Sequence, residues 1–491
     1  MAAIEILVEG SGARLWQKIL VERLRAAGHE IGVVHVEGKS EWPLAMRAAA
    51  AFERRLFRRS GPGLAAAADI AEAPPATPPA LRLDLAGTAP LHGVPTLRLA
   101  FDGSPSDAAV PAATAAGRLP DIEAILDGEV VARAAPMIDK RTFAMLGADD
   151  VLARAITLAV SVAGRIVAAG TGDAPASPLR VGDGDAVGHG NPPFLRSYVF
   201  SALPKLGREA LRRARFRHAH WRVGYRFADG PGVAETGEPG SGWRQVPDDG
   251  SRFYADPFPF EWRGRHFIFL EDYPHATGKA LISVVEVDET GTAPTPRPVL
   301  EEPFHLSYPQ IFERDDAIWM LPEASASNRL TLYRAERFPD RWVPEAILLD
   351  GMVISDATLF EYEGRLWLFA TDRDDYGSTS DTLVVFHAPA LKGPWTPHRG
   401  NPVLIDRRRA RPGGAFQRIG GRILLPIQDG TKGYGGGLGL SELLELDEDN
   451  VRLSDPAPVG QQGDWPYPQI HTLNRAGRLE VIDGIAAVRK R

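Results

Sequence analysis

The 491-residue chain contains no cysteine. Disulfides, thiolate metal ligands and cysteine nucleophiles are therefore excluded, and a reducing compartment suits the chain. No uninterrupted apolar run approaches the roughly 18 residues needed to span a bilayer. The opening "MAAIEILVEG" has an early Glu5 and no basic stretch, so it does not read as a secretory signal. These absences point to the cytoplasm. A surplus of positive charge is also missing: the net charge is -7, which disfavours a nucleic-acid partner. What the chain does have is an ordinary soluble balance, 44% hydrophobic and 24% charged, with 50 glycines and 41 prolines that favour turns over long helices. Its length predicts two or three domains.

Residues 1–170 read as an α/β domain. "IEILV" (4–8) suits a buried strand, and Leu15, Ile19, Leu20 and Leu24 then recur at helical spacing. Gly28 suits the helix C-cap, and "IGVVHV" (31–36) is a second strand. Strand, helix and strand on short connections predict a parallel, Rossmann-like sheet. Later strands are expected in "LRLDLAG", "VPTLRLAFDG" and "ILDGEVVARAAPMID", with a closing helix over 144–168. "GSG" (10–12) lacks the full dinucleotide spacing and reads as a tight turn, and 66–80 reads as a low-complexity surface loop. "LDLAG", "LRLAFDG" and "GEVVARAAPMI" resemble a divergent formyltransferase-like domain. Members of that family use an Asn, a His in a His-Pro-Ser-like motif, and an Asp. No such His motif occurs here, and His29, His35 and His92 stand alone. The resemblance thus implies the fold, and neither formyl transfer nor folate binding.

Residues 171–219 read as a linker and a basic helix. Positions 170–195 are rich in Gly, Asp, Pro and Ala. In "LPKLGREALRRARFRHAH", Leu203, Leu206, Ala210, Leu211 and Ala214 can form one stripe, with Lys205, Arg208, Arg212, Arg213, Arg215 and Arg217 around it. Two readings stand. One is a solvated helix joining two domains. The other is a contact over 203–217 for an anionic membrane surface or an acidic partner, which would make the protein membrane-peripheral.

Residues 220–491 carry a repeat. "DPFPFEWRGRHFIFLE", "YPQIFERDDAIWMLPE", "DATLFEYEGRLWLFAT", "PGGAFQRIGGRILLPIQ" and "YPQIHTLNRAGRLEVID" begin at Asp256, Tyr308, Asp356, Pro412 and Tyr467. Each is a strand, a tight turn and a second strand, and the starts lie 52, 48, 56 and 55 residues apart. "LISVVEV", "LTLYRAE", "TLVVFHA" and "LSELLEL" supply third strands. Such a period predicts an all-β five-bladed β-propeller. The fifth copy lacks room for its outer strands, so "HWRVGYRF" (220–227) is expected to complete the last blade and close the ring.

In a propeller the starts of the innermost strands converge on one end of the axis. Asp256 and Asp356, with Tyr308 and Tyr467, would there suit a sugar: carboxylates bind hydroxyls or exchange protons, and aromatic faces stack on rings. The alternative is that the aspartates cap turns. "ADPFPF" and "SDATLF" resemble the first- and third-blade motifs of five-bladed glycoside hydrolases of family 43, the arabinanase and β-xylosidase type. That resemblance implies Asp256 as general base and Asp356 as the group that orients it or tunes the acid. "YADPFPFEWRGRHFIFLEDY", "HLSYPQIFERDDAIWMLPEASASNRLTLYRAERFP", "DATLFEYEGRLWLF" and "ARPGGAF" more closely resemble the propeller domain of glucosamine inositolphosphorylceramide transferases and their bacterial relatives, over about 220–491.

Two departures limit what the resemblance implies. The plant transferases have a separate transferase domain after the propeller, and here the propeller runs to the last residue. The hydrolases place a Glu acid at the start of the fourth blade, where this sequence has Arg411. Arginine cannot serve as a proton donor near neutral pH. Glu271 and Glu323 end the second strands of blades one and two, and Glu323 is the expected substitute acid, its alternative a salt bridge to Arg329. Arg411 would bind an anionic group, since its fork suits phosphate or carboxylate. Tyr434 and the glycines of 433–439 read as a flexible loop over the site or as plain turns, and His305 and His471 as groups that touch it. No clustered ligand spacing points to a metal, and no cofactor is implied. The expected activity is hydrolysis or transfer of a glycosyl unit on a glycan, phosphosugar or glycolipid. The alternative is a non-catalytic glycan-binding or scaffold protein in surface-polysaccharide or glycolipid synthesis.

Overall fold

The computed structural model describes all residues except 1, 11, 38–41, 59–60, 88–92, 172–192, 218 and 491. Most of the expected linker, His92 and the middle residue of the 10–12 turn lie outside the described residues. The chain forms two compact units: 1–212 with 376–378 and 404–406, and the remainder.

In the first unit, six strands make one sheet: β1 (Ala3–Glu9), β2 (Glu30–Val36), β3 (Leu81–Asp84), β4 (Thr96–Phe101), β5 (Ile122–Leu126) and β6 (Glu129–Ala134), in the order β2-β1-β3-β4-β5-β6. β1 runs parallel to β2 and β3, and β3 to β4. The expected parallel sheet therefore holds for four strands, but it ends in antiparallel pairs, β4 with β5 and β5 with β6. For β5 and β6 the reason is local: Asp127 (φ 50°) and Gly128 (φ 96°) form a two-residue left-handed turn, which joins antiparallel strands and is far too short for a parallel crossover. Helix α1 (Leu15–Ala26) makes the crossover from β1 to β2. Ile4, Ile6 and Val8 of β1 share a core with Leu20 and Leu24 of α1. A long helix, Ala144–Thr171, adds Leu152, Ile156 and Ala159 to that core. By length and composition its span Ala144–Gly170 could cross a bilayer, yet 61% of the apolar window is buried inside the protein. Of the isolated histidines, His35 takes an ordinary role: its Nε2 lies 2.8 Å from the Ile70 carbonyl oxygen.

The second unit is a five-bladed propeller. The inner hairpins are Arg252–Trp262 with Arg265–Pro274, Ser307–Arg314 with Ala317–Glu323, Ile354–Tyr362 with Arg365–Asp372, Gln417–Ile419 with Arg422–Gln428, and Leu473–Ala476 with Leu479–Ile485. The expected third strands appear at Leu281–Val287, Arg329–Arg337, Thr382–Ala388 and Leu438–Leu446. The third strand of the last blade is Trp221–Phe227, antiparallel to Leu479–Ile485 with Trp221 opposite Ile485 and Phe227 opposite Leu479. The ring closes as the sequence predicts, and no open edge is left at that junction.

Each blade is apolar on both faces because each face packs on a different neighbour. In "FIFL" of blade one, Phe267 and Phe269 join Met320 and Trp342 of blade two, whereas Ile268 and Leu270 join Val223, Tyr225 and Val481 of blade five. The period of two thus splits one continuous apolar run between two cores.

Candidate functional site at the propeller axis

The backbone at the first repeat position is unusual and shared. Asp256, Tyr308 and Asp356 have φ values of 48°, 46° and 49°. At each of them the hairpin register shifts. A bulge therefore turns each inner strand at the residue that reaches the axis, in a conformation that non-glycine residues adopt at a cost.

Pairing also fixes the equivalent residues in blades four and five, and corrects the sequence alignment. Glu271, Glu323, Thr371 and Gln428 each stand fifteen residues beyond Asp256, Tyr308, Asp356 and Gly413, respectively. In the last blade Leu473 pairs with Ile482 and Asn474 with Val481, which puts Thr472, eleven residues before Asp483, at the first position. The fifth hairpin is four residues shorter than the rest. The second "YPQI" thus does not hold the place of the first. Tyr467 is no axial residue; its hydroxyl donates to Gln245 Oε1 at 3.2 Å on the outermost strand of that blade.

The other candidates fall into one contiguous cluster. Asp256 and Asp356 are 3% and 1% exposed. The Asp256 carboxylate Oδ1 accepts from Thr472 Oγ1 at 2.9 Å and lies 3.3 Å from His471 Nε2. His471 Nδ1 lies 2.7 Å from Asp483 Oδ2, and the Asp256 backbone N–H donates to that same oxygen at 3.2 Å. His471 stacks face to face on Trp221, with ring centroids 3.9 Å apart. On the other side, Arg411 donates from Nε to Asp356 Oδ2 (2.6 Å) and from Nη2 to Oδ1 (3.1 Å). Gln428 Nε2 donates to Asp356 Oδ2 at 2.5 Å, and Arg411 Nη1 donates to Ser380 Oγ at 3.0 Å.

Second-strand ends brace the first positions of the next blade by one device. Asp483 of blade five accepts the Asp256 N–H, and Glu323 of blade two accepts the Asp356 N–H through Oε2 at 3.1 Å. Glu323 Oε1 accepts from Ser325 Oγ at 3.0 Å, and Arg411 Nη2 lies 3.6 Å from Oε2. The partner of Glu323 is therefore Arg411; Arg329 pairs instead with Asp350 at 2.9 Å. Glu271 pairs with His305 Nε2 at 3.2 Å. Tyr308 is fully buried, and its hydroxyl lies 2.9 Å from Thr358 Oγ1 and accepts the Gly414 N–H at 2.7 Å. It pins blade two to blades three and four.

Burial pushes the Asp256 carboxyl up to about 7, against the pull of His471, and the charges of Asp356, Glu271 and Asp483 add to the push. For His471, burial works against the charged ring, but Asp483 and Asp256 outweigh it and raise it to about 9. Burial opposes charge on His305 as well, and Glu271, Glu323 and Asp256 together raise it. Asp256, His471 and Asp483 each offer a donor atom within 4.8 Å of the others, a spacing that could hold a cation.

Tyr434 lies between this cluster and solvent. The residue is 53% exposed, while burial is the largest influence on its hydroxyl and raises its pKa, with Asp256, Asp356 and Glu271 adding to the rise. Arg411 lies over its ring at 5.2 Å, and its ring edge meets His471 at 5.7 Å. The glycine loop that carries it is fitted to its place. Gly435 has φ 66°, and a Cβ there would collide with the Trp221 indole.

The sequence reading found Asp256, Asp356, Glu271, Glu323, Tyr308, Arg411, Tyr434, His305 and His471, and the structure brings all of these together. Asp483, Gln428 and Trp221 were missed. The first two occupy the repeat position of Glu271 and Glu323, a signal the alignment held.

The first unit has a cavity of its own, about 340 Å³, at the C-terminal ends of β1, β3 and β4, lined in part by Glu9, Gln17, Gly87 and Asp107. Asp107 is buried there and accepts from Arg14 Nε (2.8 Å), Trp16 Nε1 (2.9 Å) and Trp42 Nε1 (2.9 Å).

Fold and cluster together define a five-bladed propeller whose axis is closed by acidic side chains from four blades. Residues 244–456 match the family described as glucosamine inositolphosphorylceramide transferase 1, N-terminal. The curated rice (Oryza sativa subsp. japonica) protein named glucosamine inositolphosphorylceramide transferase 1 is 32% identical over 206 residues, covering 41% of this chain and 28% of its own length. The Arabidopsis thaliana protein of that name is 30% identical over 206 residues, covering 41% and 27%. The match thus spans under a third of these relatives. The sequence likeness expected for the propeller is present, and it sets this part of the chain beside proteins named for carbohydrate transfer. Among solved structures, the catalytic domain of the Coprinopsis cinerea GH62 α-L-arabinofuranosidase overlaps 52% of this chain and 85% of its own (TM-score 0.38, 15% identity). The GH43_1 enzyme from Xanthomonas citri complexed with xylose overlaps 48% and 87% (TM-score 0.33, 14% identity).

Proposed function

We propose that the axial cluster is a sugar site and that the protein hydrolyses or transfers a glycosyl unit on a glycan, phosphosugar or lipid-linked sugar. The observation that carries this reading is the convergence of Asp256, Glu271, Glu323, Asp356 and Asp483 from four blades, with Tyr434 half-exposed above them. Carboxylates hold hydroxyls, and an exposed ring face stacks on a pyranose. Burial raises the Asp256 and Asp356 carboxyls alike to about 7, and Asp256, which no arginine clamps, is the proton-exchanging group in this reading. Asp356, clamped by Arg411 and Gln428, is a positioning residue in this reading, and Glu323 fixes the Asp356 backbone. Arg411 does not stand open to an anion, since Asp356 fills its fork.

The same clamp favours a second reading, a non-catalytic glycan-binding or scaffold module. A carboxylate that accepts from both Arg411 and Gln428 has little left to offer a substrate. One experiment separates the two. Wild type and Asp256→Asn are incubated with nitrophenyl glycosides, nucleotide sugars and extracted glycolipids, with products read by mass spectrometry and binding by melting temperature. Turnover lost in Asp256→Asn supports the enzyme. A melting shift with no product in either protein supports the binding module. Neither turnover nor shift would sink the sugar site itself.

A further inference from the structure

The basic helix predicted from the sequence starts earlier than expected and carries an uncovered apolar face. Helix Phe194–Ser197, the wide turn Tyr198–Ala202 and helix Leu203–Arg215 follow one another without a break. No residue of Leu203–Arg215 is buried. Leu195, Val199, Phe200, Leu203 and Leu211 are exposed, Phe200 at 78%. Phe200, Leu203, Gly207, Leu211 and Ala214 recur at steps of three and four residues, so they share one face. Arg208 and Arg215 border that face, Lys205, Arg212 and Arg213 lie behind it, and Glu209, the only acidic residue between 194 and 217, accepts from Arg212 Nε and Nη2 at 2.7 Å each.

In a chain of net charge -7, this helix is a concentrated positive segment.

A helix that merely bridges two domains through water is polar all round. This one pairs an exposed Phe and leucines with flanking cations whose long stems can reach past an apolar surface to phosphate. We propose that residues 194–215 form an interfacial anchor that lies on an anionic lipid bilayer. The apolar face sits at the headgroup–acyl boundary, and the arginines of the helix meet the phosphates. An acidic protein would match the charge and leave Phe200 without a use. The proposal does not depend on what the axial site binds.

The test is co-sedimentation of the full-length protein with phosphatidylcholine vesicles and with vesicles that also contain phosphatidylglycerol. Binding is expected only to the second, weakening as salt rises. The triple variant Arg208→Glu, Arg212→Glu, Arg215→Glu should bind about a hundredfold more weakly, since each cation near an anionic surface contributes a several-fold gain. Phe200→Ser with Leu211→Ser should also lose binding at low salt while melting like the wild type, because both side chains are exposed. Absence of wild-type binding would overturn the proposal. So would binding that survives the serine pair, which would mean charge adsorption alone. Self-association that disappears in the serine pair would instead make a second copy of the chain the occupant, and would overturn it too.

Discussion

Arg411 closes its fork on the carboxylate of Asp356, with contacts of 2.6 and 3.1 Å, at the place where the family 43 resemblance implies a glutamate acid. Both side chains are almost wholly buried. Breaking such a pair from one side strands a charge, which typically costs about 3–5 kcal/mol. Arg411→Met should therefore destabilise the propeller strongly in a chemical-denaturation series. Adding Asp356→Asn should restore part of the loss, because the stranded charge is gone. Equal losses in the single and double variants would show that the pair is not coupled in this way.

The pH response of Asp256 follows from its burial. Its carboxyl is raised from 3.8 to about 7 in the folded protein, so the native state holds a proton that the unfolded chain has released. Stability from this group is full below about pH 4 and is lost as pH rises through 7. Asn at this position is neutral throughout. The melting temperature of Asp256→Asn should therefore rise relative to wild type between pH 5 and 8, by the equivalent of up to about 2.7 kcal/mol, since about two pH units of that range lie below 7 and each is worth about 1.4 kcal/mol. A difference that stays flat or shrinks over that range would refute the raised carboxyl.

His471 has the same sign in a higher window. Its pKa is raised from 6.5 to about 9, so its contribution is full below about pH 6.5 and fades as pH climbs through 9. His471→Gln should remove that upper step. Because it leaves Asp256 and Asp483 without their cation, it should also cost stability at pH 7. Imidazole proton chemical shifts across pH 6 to 10 in wild type give the direct check.

Tyr308 is assigned here to the frame of the propeller. Tyr308→Phe leaves the Gly414 N–H without its acceptor and Thr358 Oγ1 without its partner. A loss of about 1–3 kcal/mol is expected. Any ligand-induced melting shift should survive, since a fully buried hydroxyl does not meet ligand. A stable variant that has lost its ligand response would return Tyr308 to the binding surface.

Much of this architecture was legible because a propeller repeats its patterning. The recurring hairpin gave the blade count, and the missing outer strands of the last copy gave the closing role of Trp221–Phe227. The first sheet was legible only where helical and strand periods alternate; the turn at Asp127 and Gly128 reverses the chain without disturbing the strand pattern on either side. At the axis, spacing identified residues on long, regular hairpins and failed on the short fifth one, where hydrogen-bond register places Thr472 and not Tyr467. His471 was legible as a residue of the site, but its partner was not: Asp256 lies over two hundred residues away in sequence, and only ring closure brings them together. Left-handed backbone at Asp256, Tyr308 and Asp356 leaves no trace in composition.

The central claim is that the axial cluster binds a sugar, and ligand-dependent melting tests it most directly. Wild type, Asp256→Asn and Tyr434→Ala would be scanned against free sugars, phosphosugars and nucleotide sugars. A ligand at ~100 times its dissociation constant adds about 2.7 kcal/mol of stability, enough to read as a shift. The expected result is a shift in wild type with at least one sugar class, lost or sharply reduced in both variants. A shift retained in both would place the ligand elsewhere and contradict the account.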